Sequence, residues 1–476
     1  MPATVELRGA GDPRLRAAVA AGYPRLVAAL AAHGRTLPRH VDREFQRYLL
    51  CGDPSLGFAW LECAGCAHHR LVPFSCKTRG FCPSCAGRRM AEGAAELVDR
   101  VLPHVATRQF VLTVPWRRRW LLARRSDLAS GVLRIALRTI ERFYRGSTGR
   151  THGRSGAVTV IQRFGSAVNL NLHFHIVHLD GLFDRGADEA LRFFGATPTT
   201  ADVEALVVDI GTACEAWLAG QGFAGEAEDA TEDDDDVQGI LQLASLTGTH
   251  AVGDRAKRAV RRVVTLAGRP FPLPPRCAAF DGYNLHANVS FSASDRGGLE
   301  RLCRYVLRPP LAMERLETLP DGRVRLGLKR VWSDGTTAIE LSPLELTEKL
   351  AAIVPPPRVN QVRYHGVLAA NAAWRPEVVP KVPTSSAAEA EARQARRLSK
   401  RATVRVEASS PGWADLLWRV FQVDGWRCAF CGGTMRLRMI VDVPPAATRI
   451  AAGLLRDRGP PHPRPAGEDQ GAYADA

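Results

Sequence analysis

The stretch Asn169 to Phe183, NLNLHFHIVHLDGLF, sets His173 and His175 two residues apart, the spacing at which an extended chain sends both side chains to one face. Asn169 and Asn171 share that face, whereas Leu170, Leu172, Phe174 and Ile176 fill the other, so the pattern predicts a strand with one polar face and one core face. Two neutral imidazoles held on a rigid strand can share one divalent ion, and Phe174 between them anchors the strand. His178 has the parity of the core face and cannot join them. With 13 His in 476 residues, a His-apolar-His triplet also arises by chance, so its weight comes from its surroundings.

Cysteine supplies the second chemistry. Six of the 11 Cys fall between Cys51 and Cys85, and the N-terminal residues lack a basic start followed by an apolar signal core, so the cluster predicts metal binding rather than disulfides. Cys63-x2-Cys66 and Cys82-x2-Cys85, fifteen residues apart, have the spacing of a four-thiolate zinc ribbon. Cys76 can replace one of these sulfurs, and Cys51, His68 and His69 remain for a second site. Cys428-x2-Cys431 has no second pair behind it; it either completes a zinc site with distant residues or binds nothing. Lys77, Arg79, Arg88 and Arg89 give the ribbon a basic rim that would meet phosphate on docking to DNA, or else form a solvated basic face.

A metal clamp for phosphate chemistry still needs a nucleophile, and Tyr305 is the best placed of the seven tyrosines. Leu299, Leu302, Val306 and Leu307 have helical spacing, and Pro309 with Pro310 ends the helix one turn after the tyrosine. Arg304 and Arg308 flank the phenol and could hold a scissile phosphate while favouring the phenolate. The competing reading is a tyrosine packed on a helix face.

The elements that must position these groups are legible in outline. Residues 12 to 50 have helical patterning, a helix over residues 88 to 102 leads out of the cysteine region, and residues 109 to 114 read as a buried strand stopped by Pro115. An amphipathic helix over residues 127 to 145 precedes a strand from Ala157, and the histidine strand follows after a short turn, which predicts an antiparallel pair at the centre of a sheet. The acidic run from Glu226 to Asp236 reads as a solvated loop and residues 380 to 410 as a linker or exposed helix. The expected fold class is α+β. A helical and zinc-binding domain occupies residues 1–103, a nuclease domain with a central antiparallel sheet flanked by helices 104–320, and an extension of it 321–385. A helical segment with the last CxxC follows at 386–441 and a disordered tail at 442–476.

A net charge of +15, with 64 Lys and Arg, suits a polyanionic partner better than an acidic small molecule, although a basic composition alone does not prove it. No run of about 18 uninterrupted apolar residues occurs, so no membrane span is expected and a cytoplasmic, DNA-associated location follows.

Together these pieces resemble the HUH endonucleases, and specifically the rolling-circle transposases of bacterial insertion sequences of the ninety-one type. Ser75 to Cys85, SCKTRGFCPSC, is similar to the core of that family's zinc-binding domain, and FVLT at Phe110 to Thr113 to its first nuclease motif. His173, Phe174 and His175 resemble its His-apolar-His motif, and CRYVLRPP its tyrosine motif. RYHGVLAAN at Arg363 to Asn371 and the Cys428-x2-Cys431-Gly-Gly segment look like its C-terminal region. The resemblance implies that Tyr305 is the nucleophile and that His173 and His175, with a third polar ligand, hold Mg2+ or Mn2+, apart from the structural Zn2+ of the cysteines; among the neighbouring strands Gln162, slightly before Gln109, is the amide candidate for that ligand. It implies nicking and rejoining of single-stranded or hairpin DNA at element ends, and of target DNA, through a 5'-phosphotyrosine link. Two-tyrosine relatives place another tyrosine where Arg301 stands, so the chain resembles the single-tyrosine branch; Tyr364 is an outside candidate for a second phenol. A plasmid replication initiator or relaxase, and a non-catalytic zinc-ribbon DNA-binding protein, are the alternatives.

Overall fold

The computed structural model describes residues 5–7, 12–66, 68–224, 236–265, 273–381 and 426–456. The acidic run before Asp236 and most of the 380–410 segment lie outside them. Two compact units are present: residues 1–10, 50–76 and 413–476 form one, and residues 11–49 and 77–412 the other. The first unit is therefore built from both ends of the chain, whereas the expected zinc-binding domain was the continuous segment 1–103.

The strands of the first unit are β1 (Val5–Leu7), β2 (Phe58–Cys63), β3 (His69–Pro73) and, far downstream, β16 (Met435–Val441), in the order β1-β3-β2-β16. A helix over Pro444–Arg456 follows and packs Ala447 and Ala451 against Phe58, Leu71 and Val441. Two expectations are corrected here, a helical segment running to 441 and a disordered tail from 442. Pro is tolerated in the first turn of a helix, and the apolar spacing of Ala447 and Ala451 behind it was masked by the Pro and Gly content of the tail as a whole.

Helices of the second unit are α1 (Pro13–Ala31), α2 (Arg39–Leu49), α3 (Pro83–Arg100), α4 (Trp116–Arg124), α5 (Ser126–Thr148), α6 (Thr200–Gly220), α7 (Val237–Thr247), α8 (Arg296–Val306), α9 (Pro343–Ile353) and α10 (Arg375–Val378). Its central sheet contains β4 (Thr107–Thr113), β5 (Gly156–Phe164), β6 (Leu170–Leu179), β10 (Cys277–Phe280), β11 (Tyr283–Phe291) and β15 (Val362–Gly366). The order is β10-β11-β4-β6-β5-β15, with every pair antiparallel. A hairpin of β7 (Gly181–Arg185) and β8 (Leu191–Gly195) follows β6. A smaller sheet joins β9 (Arg261–Val264), β12 (Leu316–Thr318), β13 (Val324–Gly327) and β14 (Thr336–Leu341).

The alternation read in the histidine strand decides the layers. Phe110, Leu112, Ile161, Leu172, Phe174 and Ile176 point to one face, where α5 and α6 cover them. Val158, Val160 and Val177 point to the other, against Leu97 and Val98 of α3 and Leu302, Cys303 and Val306 of α8. His178, as its parity requires, lies on the α5 side, stacked on Tyr144. Arg108 and Asp180 form a buried two-pronged ion pair at 2.8 and 2.7 Å, Tyr144 Oη donates to the same carboxylate at 2.6 Å, and Arg108 also donates to Ala287 O at 2.7 Å. This network ties α5, β4, β11 and the residue that follows β6 together, so truncating one ionic partner would cost about 3–5 kcal/mol.

Candidate active site and thiolate cluster

Pairing across the sheet sets His173 opposite Gln162 of β5 and Thr113 of β4, and His175 opposite Val160 and Val111. All of these side chains stand on the α8 face. The two imidazole Nε2 atoms converge to 3.1 Å, a separation that suits two ligands of one octahedral ion at about 2.1 Å each. His173 Nδ1 donates to Asn171 O at 2.8 Å, which makes its Nε2 an acceptor, and the Gln109 amide lies 2.8 Å from His175 Nδ1; turned so that its oxygen accepts from Nδ1–H, that amide would free His175 Nε2 for a metal. Burial pushes His173 down to about 4, with Arg308 and Arg119 adding to the shift against the Asn171 carbonyl, and lowers His175 well below the usual range. Both rings are therefore neutral near pH 7, the form that binds metal.

Of the two amides proposed as third ligand, Gln109 is engaged with a ring nitrogen. Gln162 donates through Nε2 to Val306 O at 2.6 Å, and its buried Oε1 has no partner. Two neutral imidazoles and an unpartnered amide oxygen on the strand position paired with His173 are donor types that suit a hard divalent ion.

Tyr305 lies in the last turn of α8, its ring centre 5.8 Å from that of His175 and its plane at 89° to it. The Arg308 guanidinium sits 4.2 Å and Lys329 Nζ 4.4 Å from the phenol ring centre. Burial disfavours the phenolate, but the two cations outweigh it and hold Tyr305 below the ordinary tyrosine value. Arg304, expected beside the phenol, is instead tied to Glu300 at 3.1 Å. Lys329 escaped the sequence reading because it follows β13 on another sheet; a Lys-Arg pair after an apolar strand was its only signal. Arg301, where a second tyrosine would stand, is exposed, and Tyr364 lies on the edge strand β15, level with Val158 and Val177.

Lys77 and Arg79 are exposed on the approach to α3, Arg88 pairs with Glu92 at 2.7 Å, and Arg89 lines a cavity with Arg79. Cys82 and Cys85 open α3, with Pro83 as its first residue.

The expected ribbon of Cys63, Cys66, Cys82 and Cys85 is replaced by another set. In the first unit the sulfurs of Cys63, Cys66, Cys428 and Cys431 all lie within 4.8 Å of one another, with 3.5 Å from Cys63 to Cys431 and 3.8 Å from Cys66 to Cys428. Tetrahedral zinc with bonds of about 2.3 Å needs sulfurs roughly 3.8 Å apart. Backbone N–H groups of Gly65, Phe430 and Gly433 each donate to a cluster sulfur at 3.4 Å, and the first of these pulls the Cys63 thiol down to about 6. The register of β2 with β16, Met435 opposite Cys63, brings the two knuckles together. Cys76 is not part of this set; its N–H donates to Cys51 Sγ at 3.3 Å. His69 accepts from Trp60 Nε1 and His68 stacks on Phe430.

A family model described as a transposase zinc-binding domain matches residues 24–114, and one described as a putative transposase matches residues 156–375. The chain belongs to the transposases of IS91-type insertion sequences. The second match contains His173, His175, Tyr305 and Lys329, and the first contains the six N-terminal cysteines, whereas Cys428 and Cys431 lie outside both. No curated protein and no solved structure matches the transposase. Among its described residues no helix is long and apolar enough to cross a membrane.

Proposed function

We propose that this transposase is an HUH-type, metal-dependent tyrosine endonuclease and strand transferase acting on single-stranded or hairpin DNA at its element's ends and on target DNA, in rolling-circle transposition. The observation that carries the reading is the Tyr305 phenol set against His175 between two cations, on the face where two imidazole nitrogens converge. His173, His175 and Gln162 would hold Mg2+ or Mn2+, which supplies Lewis-acid polarisation of a nonbridging phosphate oxygen. Tyr305 Oη attacks phosphorus, the bond from phosphorus to the 3' oxygen breaks, and that oxygen leaves as a 3'-OH after taking a proton. The phosphodiester energy is kept in the 5'-phosphotyrosine link, so attack by a 3'-OH rejoins DNA and restores the phenol without ATP. Arg308 and Lys329 offset the charge on the phenolate as it forms and again as it leaves.

Incubation with end-labelled single-stranded oligonucleotides tests this. A covalent adduct means nuclease, whereas retardation alone would leave a zinc-containing DNA-binding protein. Lys329→Ala removes one of the cations that hold the phenol down, so its alkaline limb of adduct formation should move to higher pH, with a roughly tenfold loss at neutral pH. An unchanged pH profile in that variant would take Lys329 out of the mechanism.

The zinc expectation is equally direct. Cys63, Cys66, Cys428 and Cys431 would hold one structural zinc. Dialysed protein should then contain at least one zinc ion per chain, and Cys428→Ser should remove it. Zinc kept by Cys428→Ser but lost from Cys82→Ser would instead reinstate the ribbon of Cys63, Cys66, Cys82 and Cys85.

A further inference from the structure

The geometry points to a pocket for one unstacked nucleotide of the bound strand at the end of α8, an inference that rests on the single-strand nuclease reading above. A cavity of about 410 Å³ opens there, closed on one side by Leu307, Arg308, Pro309 and Pro310, the residues that follow Tyr305 and Val306. Its volume lies in the range of small-molecule sites, roughly 300–1,000 Å³, which admits a nucleotide but not a paired duplex.

Its walls match the parts of a nucleotide. Val160 of β5, Ile353 and Pro355 contribute apolar atoms to the wall against which the face of a base can lie. Asn360 and Gln361 also line the cavity, and their side-chain amides make no hydrogen bond among the described residues, leaving donors and acceptors for a base edge. At the rim Arg79 and Arg89 form no ion pair among the described residues, and the lining carboxylate, Glu92, is engaged by Arg88 at 2.7 Å. Arg79, with Arg89 whose charge is shared with the Glu44 carboxylate, sets guanidiniums beside a base-sized space, where they suit the phosphates on either side of that base. An acidic metabolite would satisfy the arginines but leave the apolar walls and both amides without partners. A flipped-in nucleotide uses all three, and it would fix the register of the strand, because the cavity adjoins the turn that carries the nucleophile.

The test uses the full chain and single-stranded 30-mers that tile the DNA on both sides of the gene, scanned with single abasic sites and single 5-iodouracil substitutions. One position close to the nick should lose adduct formation about tenfold when its base is removed, as expected for one stacked and hydrogen-bonded base. That position should also crosslink to the peptide spanning residues 353–362. In Asn360→Ala/Gln361→Ala protein the same abasic substitution should cost almost nothing further, while zinc content and thermal midpoint match the parent. Arg79→Ala/Arg89→Ala protein should bind the 30-mers about tenfold more weakly. Adducts at Tyr305 with no position-specific base effect, or with crosslinks only elsewhere, would overturn the pocket and leave the nuclease reading standing. Loss of adducts on every 30-mer would instead strike the nuclease reading, with the crosslinks still deciding the pocket.

Discussion

Tyr305→Phe protein forms no SDS-stable adduct with single-stranded DNA, a loss on the order of 10³-fold or more, while its affinity for the same oligonucleotide stays within about twofold. The substitution deletes one oxygen. The ring still packs against His175, and Arg308 and Lys329 keep their places over it, so the binding surface is unchanged. Tyr364→Phe serves as the control. That tyrosine is 40% exposed on an edge strand and level with Val177, away from the converging imidazoles, so its variant should form adducts at the parent rate. Gel analysis of labelled DNA after boiling in SDS separates the outcomes. A normal adduct from Tyr305→Phe would remove the nucleophile from this account.

What the sequence discloses and what it hides divides along physical lines. The histidine strand was legible because its period of two is written in consecutive residues, and the structure places Leu172, Phe174 and Ile176 in the core and both imidazoles on the opposite face. The helix that carries Tyr305 was legible from its apolar spacing and its two prolines. The roles of the glutamines were not, because both lie on strands that flank the histidines and only side-chain torsions decide which amide turns to a ring and which to a helix carbonyl. Lys329 reaches the phenol through tertiary packing that no local pattern encodes. The cysteines show the same limit in reverse: the spacing of Cys63-x2-Cys66 and Cys82-x2-Cys85 fits one ribbon well, yet β16 delivers Cys428 and Cys431 to the first knuckle instead. Spacing states how many ligands a segment offers. Strand pairing decides which ones meet.

His173→Ala and His175→Ala should each lower nicking by roughly 10²-fold or more, since the charge stabilisation supplied by a bound ion is worth several kcal/mol, and EDTA should do the same to the parent protein. Added Mn2+ should restore the EDTA-treated parent but not the variants. The fold should survive, because these rings face a polar site whereas the strand is anchored from its other side by Phe174. The glutamines then separate ligand from brace. Gln109→Ala removes the group that orients His175, so metal affinity should fall by roughly 10- to 100-fold and activity should return when the ion is raised in concentration. Gln162→Ala removes the buried oxygen opposite His173, and its loss should persist at any metal concentration because the site then has an imidazole pair alone. If instead both histidine variants nick DNA normally and melt well below the parent, His173 and His175 are core histidines and the convergence of their Nε2 atoms is a packing contact.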